Sequence, residues 1–290
     1  MDDPLARAYL DTAGRAYGAR PAQDRAVRLH DARPGRDDPR ARSWDWLPGA
    51  PVREAPRPEG ISGADHATDL TARTLAARPE LARGRSILEI GCGTGTLLTL
   101  AGRLGASRIA GTEIDEATLT CARATLAANG TRADLHRCDL DAGVPPSDRY
   151  DLIIANLPQK PCHAPGALLL AQDGGPDGTR LLRRFLNAAP GRLAPGGNLL
   201  LILHTLSDTG IWEPIVAAYD VGITAWRRRF TTPYDRGPAW GRIRELASKG
   251  SAFLGRSPEG EYFILFQLLL TVRSSTPRRT DPGRGATPSP

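Results

Sequence analysis

The chain is predicted to fold as an α/β domain: a sheet of seven mostly parallel strands with helices on both faces, preceded by a helical and extended N-terminal extension. Three observations carry this. Short apolar runs alternate with segments of helical periodicity from residue 86 to residue 204. The runs SILEI, DLIIA and LLLIL are apolar at almost every position, as strands buried on both faces are. The first strand leaves through three glycines at alternate positions, the sharp strand-to-helix turn of open α/β sheets.

Residues 1–60 are rich in Arg, Asp, Ala and Pro. A helix is expected over 4–17 and a shorter one near 22–31, while 32–60, dense in Pro and Gly, reads as an extended wrap. Trp44, Trp46 and Leu47 can pin that wrap to the main domain as a clamp; the alternative reading of this extension is a lid over substrate. The main domain is taken as 61–273. Ala67, Leu70 and Leu75 recur at helical spacing over 65–82, with Asp65 as a cap. SILEIG (86–91) is then a strand and TLLTLAGRLG (96–105) a helix. RIAGTEI (108–114) is a strand, and EATLTCARATLAANG (116–130) a helix that stops at Asn129-Gly130. ADLHRCDL (133–140) and YDLIIAN (150–156) are strands, GTRLLRRFLNAAPGRL (178–193) a helix, and NLLLILH (198–204) the fifth strand. Strands over 219–230 and 261–273 complete the sheet around an inserted helix and loop at 238–250. The Pro-, Ser-, Thr- and Arg-rich segment 274–290 is expected to be a disordered tail.

Hydrophobic residues make up 40% and charged residues 24% of the 290, which excludes general disorder. The net charge of +6 is scattered and carried almost wholly by arginine, so nucleic-acid binding is not expected on charge alone. Cys92, Cys121, Cys138 and Cys162 lack CxxC spacing or paired histidines, which points to reduced thiols and no metal site. MDDPLARAYLDTAGR has no basic start followed by an apolar core, and the run YFILFQLLLTV is too short to span a bilayer. A cytoplasmic protein without a membrane partner is therefore expected.

The chemistry gathers at the strand ends. In LEIGCGTGTL, Gly91, Gly93 and Gly95 bring bare backbone close to a ligand, but the third glycine comes one residue too early for a dinucleotide fingerprint. Glu89 also sits two residues before the first glycine. A pyrophosphate is ill served by that carboxylate, whereas a ligand with ammonium and sulfonium groups suits it. Glu113, ending the second strand, can accept from both hydroxyls of a ribose, with Asp115 as a further neighbour. Asp139, ending the third, can accept from an exocyclic adenine amine, with Leu140 flanking the ring.

EIGCGTG, TEID, CDL and DLIIANLP, in this order and spacing, resemble the motifs of class I S-adenosylmethionine-dependent methyltransferases, over about residues 65–273. The resemblance implies a Rossmann-like sheet and S-adenosylmethionine as cofactor. It implies that Glu89, Gly91, Cys92, Gly93 and Gly95 hold the methionine part, Glu113 and Ile114 the ribose edge, and Asp139 and Leu140 the adenine. Cys92 itself reads as a small packing residue rather than a nucleophile.

NLPQ (156–159) resembles the N-P-P-Y motif of the amino-methylating branch, which includes the release-factor glutamine methyltransferases. In that branch the asparagine side-chain oxygen and the next backbone carbonyl accept from the target NH2 and aim its nitrogen, so catalysis is mainly positioning. This implies catalytic roles for Asn156, which also borders the cofactor, and for Leu157, Pro158 and Gln159. Gln159 stands where the family has an aromatic; a glutamine hydrogen-bonds at its edge instead of stacking, which favours a small polar or amino-acid-like acceptor. AQDGGPDGTRLL (171–182) resembles the G-G-x-D-G loop that follows the motif in the release-factor enzymes. His66, His163 and His204 are candidate substrate contacts. The expected activity is N-methylation of a small amine or amide in specialised metabolism, with protein glutamine next. Alternatives are transfer or cyclisation of the aminocarboxypropyl arm, leaving methylthioadenosine, and a non-catalytic binding protein.

Overall fold

A computed structural model describes residues 1–23, 26–31, 42–164, 166–232 and 237–273. The strands are β1 (Val27–Arg28), β2 (Arg42–Trp44), β3 (Val52–Glu54), β4 (Ser86–Ile90), β5 (Arg108–Glu113), β6 (Asp134–Arg137), β7 (Tyr150–Ala155), β8 (Leu193–His204), β9 (Tyr219–Phe230), β10 (Gly255–Ser257) and β11 (Gly260–Val272). The helices are α1 (Pro4–Tyr17), α2 (His66–Ala77), α3 (Thr96–Arg103), α4 (Glu116–Ala128), α5 (Arg180–Ala188), α6 (Trp212–Ala218) and α7 (Trp240–Ser248). The main sheet runs β1-β9-β11-β8-β7-β4-β5-β6, with β10 paired to β11; β2 and β3 form a separate hairpin. From β6 to β8 every pairing is parallel, and β11 is antiparallel to both of its long neighbours.

The apolar strands read as predicted because alternate residues serve two cores. In β7, Ile153 and Ala155 face the core built by α1, α5 and α6. Leu152 and Ile154 face the one built by α2, α3 and α4. β8 divides in the same way, with Leu199, Leu201 and Leu203 on the first side and Leu200 on the second. The strand order reverses between β4 and β7, which opens a crevice at their carboxyl ends.

Two expectations are corrected. Among the described residues of 22–31 no helix forms: Ala22 bridges Gly222 and Val27–Arg28 pairs with β9, because that outer edge offers unpaired backbone groups. With β10, this makes nine strands in the sheet among the described residues, where seven were expected. Helix α6 went unpredicted. The extension begins with α1, which buries Tyr9 completely against Phe266 and Phe253. Asp3 caps α1 by accepting from the Leu5 and Ala6 N–H groups, and its other oxygen meets Arg228 at 2.6 Å. Further on, the Trp46 indole donates to Asp69 of α2 at 2.8 Å, fastening the hairpin to the domain. Residues 32–41 of the expected wrap and the expected tail 274–290 lie outside the described residues.

Candidate cofactor and acceptor site

The glycine loop joins β4 to α3 with positive φ at Gly91, Gly93 and Gly95. A Cβ at Gly93 would meet nothing within 4 Å, so this backbone borders open space. A Cβ at Gly95 would come within 3.3 Å of Ala122, so that glycine serves the approach of α4. The strand beside it sets the loop's height: Cys92 N–H donates to the Thr112 carbonyl at 2.8 Å, and Gly93 N–H to Glu113 Oε2 at 3.2 Å. The other Glu113 oxygen accepts from the Ile114 and Asp115 N–H groups.

Glu89 is 4% exposed, and its Oε2 has no hydrogen-bond partner among the described residues. Burial first, and then the Glu113 carboxyl, push it well above the ordinary glutamate range. Cys92 is buried, and burial with the two nearby acids pushes its thiol well up, so it packs and stays protonated. Asp115 is the N-cap of α4, accepting from the Thr118 N–H and hydroxyl at 2.7 Å each; those bonds hold its carboxyl below the ordinary range. Asp139 is exposed just beyond β6 and pairs with Arg184 of α5 at 2.8 Å. Leu140 is the one non-glycine with positive φ among the described residues, and Ile114 is 45% exposed beside the loop.

On the acceptor side, Asn156 leaves β7 half-buried, with no side-chain hydrogen bond among the described residues. Leu157 buries its side chain. Gln159 corrects the expectation of a substrate-facing edge: it is 1% exposed. Its Nε2 donates to the Ile202 carbonyl at 2.9 Å and to the Leu157 carbonyl at 3.3 Å, while Oε1 accepts from His204 N–H at 3.0 Å. Gln159 therefore rivets the turn to β8.

The 171–178 loop backs the same turn. Lys160 N–H donates to the Gln172 carbonyl, and Gly174 N–H to the Lys160 carbonyl. A Cβ at Gly178 would lie 2.5 Å from the Gln159 carbonyl oxygen, so only glycine lets the two strands of chain touch. His204 ends β8 with its ring 5.6 Å from that of Phe263. His66 opens α2, half-buried behind its Asp65 cap. His163 is exposed and faces Glu245 of α7 at 3.6 Å.

The topology thus gathers the glycine loop, Glu89, Glu113 and Asn156 at the ends of adjacent strands, with Asp139 one strand further out. The methyltransferase small domain profile matches residues 60–209, just over half of the 290. The chain belongs to the methyltransferase small domain family. Over 156 residues it is 30% identical to the ribosomal RNA small subunit methyltransferase C of Chromohalobacter salexigens, covering 53% of this chain and 42% of that protein. It is 34% identical over 157 residues to the release factor glutamine methyltransferase of Moorella thermoacetica, covering 49% of this chain and 53% of that one. The chain thus spans about half the length of these two relatives. The solved structure of the T. thermophilus 16S rRNA N2 methyltransferase in complex with AdoMet and guanosine matches at 25% identity and a TM-score of 0.48, over 79% of this chain and 50% of that one.

As a methyltransferase small domain the matched region has S-adenosylmethionine as its cofactor, and the local features fit that molecule. The partnerless oxygen of buried Glu89 suits a cationic group, and the uncovered backbone at Gly93 leaves room for a ligand's approach. Sequence reasoning missed Thr94 and Glu54, whose hydroxyl and carboxyl meet at 2.7 Å. No local pattern flags a contact between residues so far apart in the chain.

Proposed function

We propose that this chain is an N-methyltransferase whose acceptor is an amide nitrogen of a protein. The observation that carries the reading is Asn156: a half-buried amide, without an intramolecular hydrogen bond among the described residues, followed directly by the Leu157 carbonyl. Two acceptors in sequence suit the two N–H bonds of an NH2 group. Holding both would turn the weakly basic nitrogen toward the donor and reduce its rotational freedom. The cofactor supplies an electrophilic methyl group. Glu89 would neutralise its positive charge, Glu113 would accept from its ribose, and Asp139 from its adenine amine.

The buried, fully engaged Gln159 supports an acceptor recognised at its polar edge, because the turn offers no aromatic wall for stacking. The likeness to a release factor glutamine methyltransferase supports a protein amide further. A small free amine, the first expectation from the sequence, draws no support from the relatives reported, nor does aminocarboxypropyl chemistry. Nucleic acid, set aside on charge, returns as the second reading because of the 30% identity to an rRNA methyltransferase.

The test is methyl-labelled S-adenosylmethionine incubated with cell extract, before and after protease or ribonuclease treatment. Label in protease-sensitive material, with S-adenosylhomocysteine as the spent nucleoside, is expected. Label confined to ribonuclease-sensitive material would transfer the proposal to RNA, and methylthioadenosine as product would end it.

A further inference from the structure

We infer that Glu54 is a positioning residue of the cofactor loop, supplied by a segment that precedes the family-matched region. The inference rests on the cofactor reading above and adds to it a third anchor for the glycine loop. The first two anchors, the Thr112 carbonyl and the Glu113 carboxyl, come from β5. The third comes from the end of β3, where Glu54 Oε1 accepts the Thr94 hydroxyl at 2.7 Å. Thr94 lies between Gly93 and Gly95 and is 3% exposed, so this bond is shielded from water.

Glu54 is itself held on several sides. Its Oε1 also accepts from Ala64 N–H at 3.2 Å and lies 3.6 Å from the Arg57 guanidinium. Arg57 in turn donates to the Ile61 carbonyl. A Cβ at Gly63 would fall 2.5 Å from Glu54 Oε1, so the turn closes tightly around the carboxyl. The strand bearing Glu54 is tied to α4 as well: Ala55 N–H donates to Thr125 Oγ1, and Asn129 bonds both the N–H and the carbonyl of Arg53. The segment is thus a strap secured to α4, and among the described residues its side-chain hydrogen bond to the glycine loop is made by Glu54.

A loop with three residues at positive φ loses much conformational freedom when it orders around a ligand. A tether that fixes Thr94 beforehand removes part of that cost, and affinity rises through pre-organisation.

The experiment compares the full chain with Thr94→Val, Glu54→Ala, Glu54→Gln and the Thr94→Val/Glu54→Ala pair. It reads the S-adenosylmethionine Kd by calorimetry, and turnover at saturating cofactor. Thr94→Val, similar in size but without the donor, is expected to weaken cofactor binding about tenfold while keeping turnover at saturation. Glu54→Gln, which keeps an acceptor, recovers most of what Glu54→Ala loses, and the pair is no worse than the poorer single variant. Should Glu54→Ala fail to fold, Thr94→Val alone decides. Thr94→Val binding the cofactor as wild type does would overturn this inference and leave the cofactor reading intact. A wild-type chain that binds no S-adenosylmethionine would overturn both.

Discussion

Replacing Glu89 by glutamine separates what this residue does for the fold from what it does for the ligand. The Glu89 carboxyl is 4% exposed, has one oxygen without a partner, and lies near the Glu113 carboxyl. Burial and then Glu113 raise its pKa, so the ligand-free fold prefers it protonated. The sign for stability follows. Its contribution is complete below the unfolded value, about 4.3, and is lost as pH rises through the raised value. A cationic ligand requires the opposite state, so cofactor affinity should climb with pH over that same window, by up to about tenfold per unit. Glutamine keeps the shape and cannot ionise. Near pH 8 the ligand-free variant should melt about 2–4 °C higher, the effect of roughly 1 kcal/mol in a chain of this size. Its cofactor affinity should fall by about 10- to 150-fold, the equivalent of about 1.5–3 kcal/mol for a bond to a charged group. Calorimetric titrations between about pH 5 and 7, where an α-ammonium stays protonated, isolate the carboxyl. A wild-type Kd that does not move with pH, or a variant that binds equally well, would refute the pairing of Glu89 with the cofactor's charge.

Glu113→Ala should weaken cofactor binding by about 1–3 kcal/mol, measured by the same titration, since it removes a charged acceptor. Asn156→Ala should leave cofactor affinity near wild type and lower turnover about a hundredfold, the scale of lost positioning; unchanged turnover would place the acceptor elsewhere. Gln159→Ala strands the buried Ile202 carbonyl and His204 N–H. It should cost about 2–4 kcal/mol in urea unfolding, and a neutral result would contradict its role as a rivet. Tyr9→Ala should destabilise by about 3–5 kcal/mol, as other buried aromatic truncations do; a loss under about 1 kcal/mol would mean that α1 is only loosely attached.

The parallel core was legible because its signals are local. SILEI and DLIIA are apolar on both faces because their alternate residues meet separate helical layers, and a glycine loop announces itself by spacing alone. The same holds for the positions of Glu89, Glu113 and Asn156 at or just past strand ends, since each lies at the end of a largely apolar run. The edge strand at Val27–Arg28 was illegible for the opposite reason. Two exposed residues form a strand there only because β9 presents free backbone to pair with. Gln159 misled because an isolated glutamine looks like a polar contact, and nothing in NLPQ tells whether the side chain points to ligand or to β8.

Sequence by itself determined the order of elements from β4 to β8 and the family, for both are written in residues close together along the chain, through periodicity, caps and glycine spacing. Only the tertiary structure decided which polar groups remain available for chemistry. It took up the hydrogen-bonding capacity of Gln159, drew Asp115 into a helix cap, left Asn156 without an intramolecular partner among the described residues, and brought Glu54 onto Thr94. A side chain's availability depends on which distant backbone groups fold against it, and that pairing follows from packing rather than from its neighbours in the chain.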